Sequence, residues 1–341
     1  LCYLLGNHKD GDDKKQFQKK NNIGLRSGQM FIASYETGHG VVSPIVIEDA
    51  SYFLINEIPG LEGIVSVKAV IKSWPEVEGR IKSAFNANPE IVRNELDRTR
   101  LQAPLYPSTI LCSGSNYRAH NAEKKGSPIS GSEPEFFIKT ADSVIGTESS
   151  IIYDPLLSSK LDCETELAIV IGKSGRHIPV EKALDYVFGY TIANDVTARD
   201  RQVRTNNDGF TWYELGRGKA FDTSLPLGPW IALSDAIPDP QNLILSTHIN
   251  SELRQRTSTS QMIWNCAELI HFFSINFTLK PGMVILTGTP AGTAWSTDVS
   301  LGGNWVSDDP EIIPATRYCL PGDVIESSIE GIGVLRNSVV S

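Results

Sequence analysis

The chain has no long hydrophobic run. Nowhere in its 341 residues does an apolar stretch approach the ~20 residues that cross a membrane as a helix, so no membrane partner is expected. Cysteine is scarce and scattered. Its five copies (Cys2, Cys112, Cys163, Cys266 and Cys319) include no Cys-x-x-Cys pair, which indicates neither a disulfide framework nor a zinc site. A reducing compartment, the cytoplasm, is the simplest expectation. Positive charge is in deficit as well: the net charge is −9 with no basic stripe, which argues against a nucleic-acid partner. A phosphate-cradling loop is missing, since Gly216-Arg217-Gly218-Lys219 has the wrong glycine spacing and no Ser or Thr after the lysine. What remains is an ordinary globular composition, 40% hydrophobic and 21% charged, long enough for one large domain with a small companion.

Residues 1–29 differ from the rest. The opening Leu1-Cys2-Tyr3-Leu4-Leu5 is too short for the core of a signal peptide, and the segment then runs through Lys14, Lys15, Lys19 and Lys20 with little to bury. It reads as a flexible extension or as sequence not native to the fold. Residues 30–105 read as a small α+β domain, with strands around Val41-Val42 and Ile45-Val46-Ile47 and helices over 66–72, 75–85 and 91–101. Pro104 and Pro107 mark its end. The remainder, 106–341, is β-rich, with short apolar runs broken by Gly, Pro and Asp and with helices expected over 180–187 and 263–273. The loop at 126–134 has the Gly, Ser and Pro content of a mobile lid. The glycine-rich stretch 292–316 has the look of a surface excursion.

The stretch Leu161–Lys173 organises the rest. Its second half is a continuous strand-forming run, which predicts burial on both faces, and its first half carries Asp162, Glu164 and Glu166 at alternate positions. Carboxylates sharing one face repel unless a cation lies between them. A hard-metal site and a strand that simply emerges into solvent fit this pair equally well. Asp195 closes another apolar run, Gly189–Asn194. Three carboxylates with no cysteine or histidine ligand nearby in sequence select Mg²⁺, Mn²⁺ or Ca²⁺, and leave room for a chelating substrate such as a 2-oxo acid or a 1,3-diketone enolate. Asp162 shares the parity but stands at the strand entrance, and is expected outside the ligand set. Cys163 points the opposite way. His120 and Glu123 are three apart on a short helix, which fits either a general base with its orienting acid or a plain surface pair. Lys139, Arg199, Gln202 and Lys219 are of the types that bind carboxylate or oxyanion groups.

In order along the chain stand Asn116-Tyr117-x-x-His120-x-x-Glu123, Phe137-x-Lys139, Glu164-x-Glu166-Leu167-Ala168 and Gly189-Tyr190-x-x-x-Asn194-Asp195-x-x-x-Arg199-Asp200-x-Gln202. Gly218-Lys219-x-Phe221-Asp222, Leu286-Thr287-Gly288-Thr289-Pro290 and Gly331-Ile332-Gly333 follow. Together they resemble the fumarylacetoacetate hydrolase family across residues 108–341. The resemblance implies a mixed β-roll catalytic core, a homodimer, and an Mg²⁺ or Mn²⁺ site held by Glu164, Glu166 and Asp195. It makes His120 and Glu123 a water-activating dyad on a lid, and Lys219 a group that steadies enolate charge. Lys139, Arg199, Gln202, Thr289 and Tyr117 are assigned to the substrate. The namesake enzyme's additional aspartate ligand is replaced here by Ser113, Ser115 and Asn116, which places the chain in the family's three-carboxylate branch.

The expected function is metal-dependent hydrolysis of a carbon–carbon bond in a 1,3-dicarbonyl or 2,4-dioxo acid of the acylpyruvate kind. The alternative is a decarboxylase or tautomerase of a 2-oxo acid using the same site. A non-enzymatic scaffold is disfavoured because every motif residue is present.

Overall fold

All seven residues of the strand Thr165–Ile171 are buried because the strand has a core on each side. Leu167, Ile169 and Ile171 face one cluster, shared with Leu269, Ile270 and Phe273 of the helix Cys266–Asn276 and with Leu245 and Leu335. Ala168 and Val170 face the other, shared with Val67, Val70, Ile71, Val77 and Ile81 from two N-terminal helices. This is the physical origin of a continuous apolar run in place of an alternating one. The computed structural model describes residues 28–86, 91–123 and 133–341. All but the last two residues of 1–29, and all but the last two of the loop 126–134, lie outside the described residues.

Around this strand runs one mixed sheet of eleven strands. Its order is Asn94–Glu95, Ser51–Leu54, Val41–Glu48, Phe31–Gly38, Leu225–Leu233, Val187–Asn194, Thr165–Ile171, Val284–Leu286, Ile110–Ser113 and Phe136–Lys139. The short Val144–Ile145 pairs in parallel with Leu225–Leu233. A second sheet of five strands, Glu252–Ser258, Ile244–Ile249, Val324–Ile329, Gly333–Val340 and Ser150–Ile152, packs against the first. The fold is β-rich α+β. The N-terminal strands do not close on themselves: Phe31 and Ile32 pair with Ala232 and Ile231, so the large sheet passes without a break from residues 31–54 into the rest of the chain.

Several elements differ from expectation. Residues 91–101 are not a helix, because Asn94 pairs with Tyr52 as a sheet edge and Asp97 then caps a single tight turn over Arg98–Arg100. Val180–Tyr186 winds as a 3₁₀ helix. The helix expected from 263 begins at Cys266, since Asn265 and Glu268 form a reciprocal capping box at that point. Val41–Glu48 is one strand where two were expected. Among the described residues no helix is long and apolar enough to cross a membrane.

Candidate metal centre and active site

The strand that carries Glu166 does not carry Glu164. Pairing breaks at Cys163 and Glu164, between Leu161–Asp162 and Thr165–Ile171. The Glu164 N–H donates to Asn194 Oδ1 at 2.9 Å, and its carbonyl accepts the Asp195 N–H at 2.8 Å. The neighbouring strand Val187–Asn194 therefore delivers Asp195 beside the two glutamates. Oxygen atoms of Glu164, Glu166 and Asp195 lie within 4.8 Å of one another, and all three residues are buried.

Three cations brace this group, Lys219 from the cavity side and Lys139 and Arg199 from behind. Lys219 Nζ bridges Glu164 Oε2 and Asp195 Oδ2, each at 2.6 Å. Lys139 Nζ meets Asp195 Oδ1 at 2.7 Å and is also held by the Lys219 carbonyl. Arg199 reaches Glu164 Oε1 at 2.5 Å and Asp162 Oδ2 at 2.8 Å. Burial opposes ionisation of Glu164, but Arg199 and then Lys219 outweigh it and hold that carboxyl well below the ordinary range. Burial also disfavours the charged form of Lys219, yet Asp195 and Glu164 keep its pKa raised. Glu166 is the contrast. Burial, then Asp195 and Glu164, push it well above the usual carboxylate range, and its hydrogen bond from the Gly288 N–H at 2.6 Å does not reverse that.

Gly288 has φ +89°, and a Cβ there would lie 2.7 Å from Asn116 Cβ, so only glycine brings this N–H to the carboxylate. An all-oxygen set with one carboxylate still repelled by its neighbours is the donor chemistry that takes a hard divalent cation. The residues present fit such an ion.

His120 and Glu123 form a buried pair, Nδ1 to Oε2 at 2.5 Å. Glu123 is also an acceptor for three other donors: the Gly292 and Thr293 N–H groups at 2.6 and 3.2 Å to Oε1, and Thr293 Oγ1 at 3.1 Å to Oε2. A carboxylate so surrounded holds His120 through Nδ1, which leaves Nε2 as the ring nitrogen turned away from Glu123. The stretch 292–316 is therefore no simple surface excursion. Its first residues, from Gly292 to Ser296, are buried, and Ala294 and Trp295 donate their N–H groups to Asp162 at 2.9 and 3.1 Å. Asp162 itself is buried and accepts a hydrogen bond from Arg199 Nε. The pull of these long-range backbone donors leaves no local mark in the sequence.

A cavity of about 520 Å³ opens over the group. His120, Glu164, Glu166, Asp195, Gln202, Lys219 and Thr289 line it, with Phe136, Phe137, Tyr213, Phe272 and Trp295 on its walls. Sequence reasoning missed this aromatic wall, which is assembled from four separate segments. Arg199, Lys139 and Tyr117 are not on the cavity wall: the first two lie behind the carboxylates, and Tyr117 packs in the core. Arg199 and Lys139 hold Glu164 and Asp195, which do face the cavity.

Comparison with known proteins follows the same lines. Residues 109–340 match the family description "Fumarylacetoacetate (FAA) hydrolase C-terminal". The chain is 39% identical over 260 residues to a mitochondrial oxaloacetate tautomerase of Xenopus laevis, covering 76% of this chain and 73% of that protein. The solved fumarylacetoacetate hydrolase of Exiguobacterium antarcticum superposes with a TM-score of 0.72 at 32% identity, covering 92% of this chain and 99% of that one. A maleylpyruvate hydrolase from Sphingobium sp. SYK-6, solved with manganese(II) and pyruvate, gives 0.68 at 26% identity, covering 91% and 99%.

Proposed function

The chain belongs to the fumarylacetoacetate hydrolase family, and from that premise we propose that it is a divalent-metal enzyme hydrolysing a carbon–carbon bond in a 2,4-dioxo acid of the acylpyruvate kind. One observation carries the reading: a histidine held through Nδ1 by a buried carboxylate opens onto the same cavity as three crowded carboxylates. Glu164, Glu166 and Asp195 would hold Mg²⁺ or Mn²⁺; the manganese and pyruvate bound by the Sphingobium relative support a metal and a 2-oxo acid here. The bound ion would supply Lewis-acid polarisation of a chelated oxo group.

The chain's own residues do the rest. Glu123 holds the His120 ring, and Nε2 takes a proton from a water in the cavity as that water attacks the distal carbonyl. The carbon–carbon bond then breaks with its electron pair going to the oxo-acid fragment. Lys219, facing the cavity, donates towards the oxygen on which that charge gathers. His120 returns its proton to the departing carbon. Gln202 and Thr289 offer polar contacts to substrate oxygens from the cavity wall. Arg199 and Lys139 set the positions of Glu164 and Asp195.

The Xenopus relative's name supports a second reading, in which the same site moves a proton between carbon and oxygen of a 2-oxo acid without attack by water. Mass spectrometry of products from acetylpyruvate and oxaloacetate, with Mg²⁺ or Mn²⁺ added, separates the two. Two carbon fragments from acetylpyruvate support hydrolysis; keto–enol exchange with no fragment on either substrate overturns it. His120→Ala should keep Mn²⁺ binding while losing about 10²- to 10⁴-fold in kcat.

A further inference from the structure

Behind the carboxylate group lies a sulfur pair that the proposed reaction does not use. Cys163 Sγ and Cys319 Sγ are 3.5 Å apart, both buried, in a small cluster with Ile151, Leu161, Val196 and Ile325. Cys163 stands between Asp162 and Glu164, and points away from the metal centre. Cys319 is tied to the same segment by its N–H, which donates to the Leu161 carbonyl at 2.8 Å. Both residues line a second cavity of about 180 Å³, whose wall also includes Asp162, Thr293 and Ala294. A molecule the size of a peroxide fits that space. The two thiols are thus adjacent, reachable by a small oxidant, and one residue removed from the groups that hold Arg199 and the Glu123 strap.

We propose that Cys163 and Cys319 form an oxidisable dithiol whose conversion to a disulfide by a small peroxide is transmitted to the metal centre. The chemistry balances. One thiol takes an oxygen from hydrogen peroxide to give a sulfenic acid and water. The second sulfur attacks the first, forming the S–S bond and releasing a second water, with both sulfurs oxidised and the peroxide reduced. Bond formation requires the sulfurs to approach by about 1.5 Å. That movement falls on a segment with little slack: Asp162 receives the Cys163, Ala294 and Trp295 N–H groups and the Arg199 side chain, and Glu164 follows directly.

The transmitted effect rests on the metal-centre reading above; the disulfide itself does not. The test uses the full chain, reduced and then treated with hydrogen peroxide, with non-reducing peptide mapping, hydrogen exchange and Mn²⁺ titration. The expected result is a Cys163–Cys319 cross-linked peptide reversed by dithiothreitol, faster amide exchange across residues 293–295, and about tenfold weaker Mn²⁺ binding. Cys319→Ser, and independently Cys163→Ala, should show none of these responses to peroxide. Failure to find the cross-link in protein that peroxide has oxidised elsewhere overturns the proposal. So does a cross-link that leaves exchange at 293–295 unchanged. Reduced protein that binds no Mn²⁺ counts against the metal-centre reading alone, because mapping and exchange still decide the dithiol.

Discussion

Two clusters of acids and bases in this protein use the same side-chain types in opposite surroundings. At the centre, Asp162, Glu164, Glu166 and Asp195 face Lys139, Arg199 and Lys219, with side chains no more than 4% exposed in the ion pairs among them. At the surface, Arg256 meets Asp309 and Glu311, where the three side chains are 38%, 29% and 67% exposed. Water solvates the surface cluster whether or not it pairs, so its members are nearly independent. The buried cluster has no such recourse. Each charge there is tolerable only because another holds it, and the excess of acid is concentrated on Glu166. The lesson is that burial turns ion pairs from decoration into a single interdependent device.

Removing one member of the buried set is the strongest way to break the comparison. Asp162→Ala leaves Arg199 and three backbone N–H groups short of an acceptor, and should cost about 3–5 kcal/mol in urea denaturation. A loss under about 1 kcal/mol would put the buried cluster in the surface class. Adding the missing positive charge should work in the other direction. Mn²⁺ at a hundredfold excess over its Kd should stabilise the protein by about 2.7 kcal/mol, read as a raised Tm, and Glu166→Gln should abolish the gain. At the surface, Arg256→Ala should change stability by less than about 1 kcal/mol.

The smallest effect concerns Asp323, whose carboxyl is held down to about 2 chiefly by its hydrogen bonds from Arg317. A carboxyl lowered by folding stabilises the protein above its ordinary pKa and ceases to as pH falls. The stability difference between wild type and Asp323→Asn should therefore be steady above pH ~4 and shrink from there towards pH ~2. A difference constant across that window would remove Arg317 as the cause.

What the sequence made legible was whatever local spacing encodes. The run Leu167–Ile171 announced a strand with two buried faces, and the alternation of Asp162, Glu164 and Glu166 announced crowded carboxylates. The three-residue spacing of His120 and Glu123 put the pair within reach. Even here spacing misled in part, since Glu164 reaches the cluster from a break in the strand and not from the strand itself. What stayed hidden depends on partners far along the chain. Thr293 and Gly292 reach Glu123 across about 170 residues, and Ala294 reaches Asp162 across 132. Gly292, at φ +106° and with a Cβ position 2.0 Å from the Arg254 carbonyl, looked like loop composition and is a steric requirement. The helix expected over 91–101 failed for the same reason, because pairing with Tyr52 overrode local pattern.

The unbroken sheet also bears on how the protein can be dissected. The nine residues of Leu225–Leu233 are all buried, and the strand Phe31–Gly38 covers one end of their edge. A fragment trimmed to the catalytic portion would uncover Ile231 and Ala232 together with the Trp230 face against which Phe31 packs at 5.0 Å. An apolar edge of that kind recruits strands from other molecules. The described N-terminal residues contribute no group to the cavity but cover this edge, and a minimal enzyme would need them or a substitute.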